Sequence, residues 1–307
     1  MPRSVTGQWD AAAPGIVLPH EHLVIDYGQM SGQATPVDDE LRARCIRVLR
    51  DLRQAGVGTV VDCTPPGYGR DLALLADLSR AGGVSIVAST GSFCEQWHPQ
   101  PRWVVDASAG ELARRFVAEL TDETVPCGAI KVATSAGAMT PHEEKLLIAG
   151  ADAHRQTGAP IVSHTTGGLG LEQLDLFADA GVRASSVLVS HVCSGDEPAE
   201  YAIEIARRGA YVGFDRLGHD AHDLDHWAGL VRRLHHEGLA ERVLLGHDSV
   251  QRFTGPEDIA GHTFSDPTYL VTTFLPALER FGISQEVQRL MTHANPRRWL
   301  LAGGATR

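Results

Sequence analysis

Six residues of this chain stand where short apolar runs end or are interrupted, and their side chains could bind metal ions. They are His20, His22, Lys131, His164, His191 and Asp248. Imidazole nitrogens and carboxylate oxygens are the donors that bind zinc and similar divalent ions. His20 and His22 are two residues apart, so on a strand both side chains point to the same face and could bind one cation together. A single histidine at a strand end is more often structural, whereas four of them with an acid and a lysine predict a metal site.

Lys131 is unusual because it interrupts the apolar run 128–132. An ammonium buried beside cations would be repelled and costly to desolvate. The amine could lose its proton, or it could react with carbon dioxide to give a carbamate whose two anionic oxygens bridge two metals. The alternative is a lysine that reaches solvent or pairs with an acid.

Eight apolar, mostly β-branched runs alternate with amphipathic stretches and predict the elements that position these residues. The runs are 15–18, 58–61, 84–88, 128–132, 160–163, 186–190, 211–214 and 242–245. Helices are predicted over 38–55, 140–157 and 198–208, and Thr140 with Glu143 predicts a capping box at the start of the second. Pairs such as Ala81-Gly82 predict helix C-caps.

Eight β-then-α units predict an α/β chain that folds as one (β/α)8 TIM barrel over residues 1–307. A doubly wound open sheet is the alternative, but the glycine-rich segment 166–170 lacks the GxGxxG pattern, and no GxxxxGK[ST] occurs. Active sites of such barrels lie at the carboxyl ends of the strands, where the six candidate ligands stand.

Charge and cysteine usage exclude several classes of protein. The formal net charge of −11 disfavours a nucleic-acid partner. No apolar run approaches the roughly 18 residues of a membrane span, and the first residues lack a signal-peptide pattern. The five cysteines are scattered without a CxxC pair, which predicts reduced thiols and a cytoplasmic location.

The pattern of candidate ligands resembles the metal set of the phosphotriesterase-like family in the amidohydrolase superfamily, above all its lactonases. The resemblance extends over about residues 15–300. Further matching stretches are Leu18-Pro19-His20-Glu21-His22, Ile130-Lys131-Val132-Ala133-Thr134, Thr140-Pro141-x-Glu143-Glu144-Lys145, Thr157-Gly158-Ala159-Pro160-Ile161, Gly213-Phe214-Asp215-Arg216 and Asn295-Pro296-Arg297-Arg298.

The resemblance implies a binuclear centre. His20, His22 and Asp248 would hold the more buried metal, and His164 and His191 the more exposed one. N6-carboxylated Lys131 and a hydroxide would bridge the two divalent ions. Zinc is expected, with manganese, cobalt or iron as alternatives. A homodimer is expected from the family alone.

The expected reaction is hydrolysis by the bridging hydroxide. Two divalent ions lower the pKa of a shared water, and the exposed metal polarises a carbonyl or phosphoryl oxygen. Asp248 would accept the proton and pass it on. The resemblance favours a lactonase with promiscuous esterase and phosphotriesterase activity on small molecules.

Four residues are candidates for substrate binding: Arg216, Phe93, Trp97 and Arg252. Arg216 resembles an arginine of the lactonases, and its alternative is an ion pair with Asp215 or Asp220. Phe93 stands where many lactonases have tyrosine, which disfavours acyl-homoserine lactone activity. Asp196 is a candidate for a proton relay if its loop is one residue longer than usual.

Three alternatives stay open at this point. One is an aryldialkylphosphatase, that is, a phosphotriesterase. Another is a hydrolase of phosphorylated sugar lactones, for which Arg70, Arg102 and Arg252 are candidate phosphate contacts. The most remote is a barrel that binds a ligand without catalysis. The loop 249–267, with His262 and Phe264, is expected to close over the substrate.

Overall fold

Each of the eight apolar runs forms a strand of one parallel sheet that curls into a barrel, as predicted. The computed structural model describes residues 2–96, 100–219, 222–255 and 266–302. A short N-terminal hairpin precedes the barrel and pairs Arg3–Ser4 (β1) with Gly7–Gln8 (β2). The strands of the main sheet are Ile16–Asp26 (β3), Val57–Asp62 (β4), Ser85–Gly91 (β5), Ala129–Thr134 (β6), Ile161–Thr165 (β7), Val187–Ser190 (β8), Tyr211–Phe214 (β9), Val243–Leu245 (β10) and Val250–Thr254 (β11).

The sheet runs in chain order from β3 to β10, and β11 pairs in parallel with β3 on its other side. β10 and β11 both belong to the eighth unit and are separated by the bend 246–249. This bend joins the two ends of the sheet, because Asp248 N donates to His20 O at 3.1 Å and His22 N donates to Ser249 O at 2.8 Å. The backbone around Asp248 is therefore part of the closure of the barrel.

Helices follow the strands and cover the outside of the sheet. They are Asp39–Gln54 (α1), Leu72–Gly82 (α2), Arg102–Val105 (α3), Ala109–Thr121 (α4), Pro141–Thr157 (α5), Gly170–Asp179 (α6), Ala199–Arg207 (α7), Leu224–His236 (α8), Leu275–Leu278 (α9), Gln285–Arg289 (α10) and Asn295–Leu301 (α11). The three predicted helices are confirmed within one residue at each end, and the predicted capping box of Thr140 and Glu143 is present. The predicted cap at Gly82 is wrong by one residue, because Gly83 takes the left-handed conformation with φ 71°.

Alternate residues of the strands divide into two apolar layers, as the two faces of a strand require. Residues that face the barrel interior include Val61, Val87, Ala129, Val162 and Leu188. Their neighbours along the strands pack beneath the helices. Lys131 lies two residues beyond Ala129 and so shares its inward face, one step nearer to the carboxyl end. Within the described ranges, no helix is long and apolar enough to cross a membrane.

Candidate metal centre

His20, His22, His191 and Asp248 meet at the carboxyl end of the barrel. The Nε2 atoms of His22 and His20 lie 3.2 Å and 3.6 Å from Asp248 Oδ1, and His191 Nε2 lies 3.8 Å from Asp248 Oδ2. Ligand atoms of His20, His22 and Asp248 all lie within 4.8 Å of one another. Four residues that span most of the chain therefore present nitrogen and oxygen donors to one point.

The two remaining candidate ligands border the same point. Lys131 Nζ lies 2.8 Å from His20 Nε2, and the ring of His164 lies 4.4 Å from that of His191, centroid to centroid. Lys131 is buried, and its burial lowers its pKa. The approach of β5 to Lys131 requires glycine, since a Cβ at Gly91 would lie 1.7 Å from the Lys131 carbonyl oxygen. The structure thus brings together all six residues that the sequence singles out.

Asp215 orients two of these histidines, and sequence reasoning missed this role. Its carboxylate accepts from Nδ1 of His20 at 2.8 Å, from Nδ1 of His191 at 2.9 Å and from the His191 backbone N at 2.7 Å. Although its burial works in the opposite direction, these two histidines hold the pKa of Asp215 well below its usual range. The Nδ1 protons are thereby fixed, and the Nε2 lone pairs point at the shared site. The position of Asp215 directly after β9, at the same end of the barrel as the candidate ligands, could have indicated this role.

Burial favours the neutral form of His20 and His191, which metal binding requires. It lowers the pKa of His191 to about 3 and also lowers that of His20. Hydroxyl groups orient the other two rings. Thr64 Oγ1 lies 2.8 Å from Nδ1 of His22, and Thr166 Oγ1 lies 2.8 Å from Nε2 of His164.

The backbone at two candidate ligands is strained. His191 and Asp248 have φ values of 61° and 55°, in the left-handed region that non-glycine residues rarely adopt. Glu21 holds the segment around Asp248 in place. One of its oxygens accepts from His247 N at 2.9 Å and His247 Nδ1 at 2.8 Å; the other accepts from Ser249 N at 2.9 Å and Ser249 Oγ at 2.5 Å. No role for Glu21 was predicted from the sequence beyond its place in a matching motif.

The donor set suits divalent metal ions. Neutral imidazoles and an ionised carboxylate, preorganised by Asp215, Thr64 and Glu21, are the ligands that zinc, manganese, cobalt and iron accept. Lys131 lies beside His20 within this set, and because an ammonium has no lone pair it would contribute a donor only after loss of its proton or carboxylation of its amine.

Aromatic side chains form one wall beside the centre. The Phe93 ring lies 5.9 Å from the His22 ring and 4.6 Å from that of Tyr68. Tyr27 lies 6.4 Å from Phe93 and 5.7 Å from Phe253, centroid to centroid. Phe93 thus borders the site, and its contact with a substrate stays a prediction. Trp97, His98, Asp220, His262 and Phe264 lie outside the described residues.

Several predicted contacts of arginines are different in the structure. Arg252 donates to the carbonyl oxygens of Thr35 and Pro36, each at 2.8 Å, and so ties down a loop. Arg70 is wrong as a phosphate contact, because its guanidinium is buried and donates to both carboxylate oxygens of Glu119, at 2.9 Å and 2.7 Å. The alternative ion pair of Arg216 with Asp215 is not formed: Arg216 Nε lies 3.6 Å from Asp248 Oδ2 instead, and Asp220 lies outside the described residues.

Opposite the aromatic wall lies an open cavity of about 430 Å³. Loops that follow β7, β8 and β9 form it, and its described lining is Thr165, Thr166, Gly167, Ser194, Gly195, Asp196, Glu197 and Arg216. The centre therefore has room for a small molecule on one side. Asp196 lines this cavity, and among the described residues it forms no hydrogen bond or ion pair with the candidate metal ligands.

The chain is similar to known proteins over nearly its whole length. The model of the phosphotriesterase family matches residues 3–300. A phosphotriesterase homology protein of Escherichia coli is 36% identical, covering 92% of this chain and 96% of its own. An aryldialkylphosphatase of Saccharolobus solfataricus is 27% identical over 93% and 94% of the two chains. A variant of a PTE-like lactonase from Deinococcus radiodurans superposes with a TM-score of 0.90 at 31% identity, covering 98% of this chain and 100% of the other.

Proposed function

Because the chain belongs to the phosphotriesterase family of metal-dependent hydrolases, we propose that it opens lactone rings at the centre formed by its barrel. The position of Arg216 supports this function most directly. Its Nε lies 3.6 Å from Asp248 Oδ2, and its side chain also lines the open cavity. Ring opening of a lactone produces a carboxylate. A guanidinium presents fixed donors that match a carbonyl oxygen and the carboxylate that follows from it.

The metal sites in this proposal use the six candidate ligands. His20, His22 and Asp248 would hold one divalent ion, and His164 and His191 a second, with N6-carboxylated Lys131 shared between them. Bound metal would supply Lewis-acid activation of water and polarisation of the substrate carbonyl. Zinc is the expected metal, to be tested by elemental analysis, and mass spectrometry of the native protein tests for the added mass of the carbamate.

The chain's own residues supply positioning and proton transfer. Asp248, held by the segment that Glu21 fixes, accepts the proton of the attacking water and returns it to the leaving alkoxide of the ring. Arg216 holds the carbonyl side of the substrate. The aromatic wall of Phe93 and Tyr27 covers the opposite side and excludes water there.

A panel of γ- and δ-lactones and aryl dialkyl phosphotriesters tests the proposal on metal-loaded protein. We expect hydrolysis of lactones by the parent protein. In Arg216→Met, kcat/KM should drop about tenfold or more, because loss of a hydrogen bond to a charged group removes a free energy of that size from substrate binding. Arg233→Met is the matched control, because Arg233 is exposed on α8 and pairs with Glu237. Rapid turnover of phosphotriesters without cleavage of any lactone would establish the second candidate, an aryldialkylphosphatase, which the relative from Saccharolobus solfataricus supports.

Two further properties belong to this proposal. We expect a homodimer, which light scattering measures. We also expect a cytoplasmic, reducing location, which the five free and buried cysteines support.

A further inference from the structure

The open cavity is directly joined to the metal-ligand cluster through three contacts. Thr166 Oγ1 lies 2.8 Å from His164 Nε2, and Ser194 Oγ donates to the His191 carbonyl oxygen at 2.5 Å. Arg216 reaches Asp248 on the third side. A substrate whose reacting carbon lies at the cluster would therefore place a substituent in this cavity.

Every side chain that lines the described part of the cavity carries a polar group, and the remaining lining residues are glycines. This described lining consists of three hydroxyl side chains, two carboxylates, one guanidinium and two glycines, and it contains no Leu, Ile, Val, Met or aromatic side chain. An alkyl chain in this space would strip water from charged groups without replacing its hydrogen bonds, which costs free energy. Hydroxyl groups, by contrast, both donate to carboxylates and accept from guanidinium.

The charges of the lining discriminate further. Asp196 and Glu197 contribute two formal negative charges and Arg216 one positive charge, so the described lining carries one net negative charge. The Nε atom of Arg216 is buried at 3.6 Å from Asp248 Oδ2, whereas 34% of the Arg216 side chain is exposed where it lines the cavity and can face a ligand. Of the three arginines predicted as phosphate contacts, Arg70 is bound to Glu119 and Arg252 to loop carbonyls. Arg102 is exposed on α3 and is not part of the described lining. In the described lining, a phosphorylated substituent would therefore meet two carboxylates and one guanidinium.

We propose that this cavity binds the hydroxylated, uncharged substituent of a small lactone, so that the preferred substrates are polyhydroxy lactones without phosphate or long alkyl groups. This proposal rests on the proposed lactonase function and specifies its substrate class. Asp196, Glu197 and Arg216 are its specificity-determining residues, and Thr166 connects substituent recognition to the orientation of His164.

Three lactones with the same five-membered ring test it: ribonolactone, ribonolactone phosphate and γ-valerolactone. We expect kcat/KM of the metal-loaded protein to be about tenfold or more higher for ribonolactone than for either of the others. Asp196→Asn with Glu197→Gln preserves size and the acceptor that Glu197 offers to Gly195 N at 3.0 Å. This double variant should have a higher KM for ribonolactone and an unchanged kcat/KM for γ-valerolactone. The ratio of kcat/KM for ribonolactone to that for ribonolactone phosphate should become smaller. Asp179→Asn, an exposed acid at the far end of α6, is the control and should change nothing.

A binding measurement without turnover provides an independent readout. Anhydroribitol has the hydroxylated ring but no carbonyl, and its saturation-transfer NMR signal should be present with the parent protein and lost with the double variant. Hydrolysis of γ-valerolactone or γ-nonalactone at least as fast as ribonolactone would overturn the substrate class while leaving the lactonase function intact. Absence of any lactone hydrolysis alongside phosphotriester turnover would overturn both.

Discussion

Asp215 accepts a hydrogen bond from Nδ1 of His20 at 2.8 Å, across the floor of the candidate metal centre. The same carboxylate accepts from His191, so one buried acid sets the orientation of two neighbouring rings of the cluster, whose centroids lie 4.8 Å apart. Partners of this kind decide which ring nitrogen is available to a metal.

Replacement of Asp215 by Asn should weaken metal binding. An amide accepts at one atom only and presents donors at the other, so it cannot accept from both Nδ1 groups. We expect a loss of about ten- to a hundredfold in metal affinity, the range typical of residues that orient metal ligands. Competition with a chromogenic chelator measures it. Asp179→Asn serves as the control, and unchanged affinity in Asp215→Asn would show that the orientation of these rings does not matter for the metal.

Glu21→Gln should destabilise the segment that carries Asp248. The Glu21 carboxylate accepts from four donors, two on His247 and two on Ser249. In glutamine only the amide oxygen accepts, so the two donors that face the amide nitrogen lose their partner. Each buried donor left without a partner costs about 1–3 kcal/mol. The free energy of unfolding, measured with urea, and kcat should both be lower than in the parent protein. A variant with the parent's free energy of unfolding and full activity would contradict the positioning role of Glu21.

Lys131→Ala should lose metal and activity together. Lys131 lies beside His20 at 2.8 Å, and the proposed carbamate would supply the bridging oxygens. Short carboxylic acids added to this variant should restore part of the metal content, because a free carboxylate can occupy the vacated space. Elemental analysis and turnover are measured in parallel. Full activity in Lys131→Met would rule out a bridging role.

Removal of metal should lower the thermal stability of the whole barrel. The ligands come from β3, β6, β7 and the segments after β8 and β10, so metal binds the folded chain and not the unfolded one. Metal at roughly 100 times its Kd adds about 2.7 kcal/mol to the free energy of unfolding. Calorimetry before and after chelation, with readdition of zinc, measures the shift. An identical Tm in both states would argue against stoichiometric binding.

The stability of the chain should depend on pH through His154, which is remote from the metal centre. Its Nδ1 lies 2.7 Å from the Ala159 carbonyl oxygen. Burial, together with the charge of Arg183, lowers the pKa of His154 below its ordinary value. The unfolded chain therefore binds more protons than the folded chain at acidic pH, so the contribution is complete above about pH 6.5 and is lost as the pH falls below it.

Urea unfolding of His154→Gln at several pH values tests this dependence. The decrease in the free energy of unfolding between neutral and acidic pH should be smaller than in the parent protein. His236→Gln, an exposed histidine at the end of α8, should retain the slope of the parent. Equal slopes in all three proteins would contradict a neutral, buried His154.

Local sequence was sufficient for the barrel and for the identities of its candidate ligands. Continuous apolar runs predict buried parallel strands, and period-two geometry places His20 and His22 on one face, because both depend only on neighbouring residues. The capping box of Thr140 and Glu143 is equally local. The resemblance to a known family then assigned six residues to one centre, and the structure brings those six together.

Only the tertiary structure decided which side chains support that centre. Asp215 lies 195 residues from His20 along the chain, and Glu21 lies 226 residues from His247, so no local pattern connects them. From the sequence, Arg70 and Arg252 are equally plausible phosphate contacts. In the structure, Arg70 donates to Glu119, and Arg252 donates to the carbonyl oxygens of Thr35 and Pro36. Hydrogen-bond partners of a buried polar group depend on how the barrel closes, and closure is a property of the whole chain.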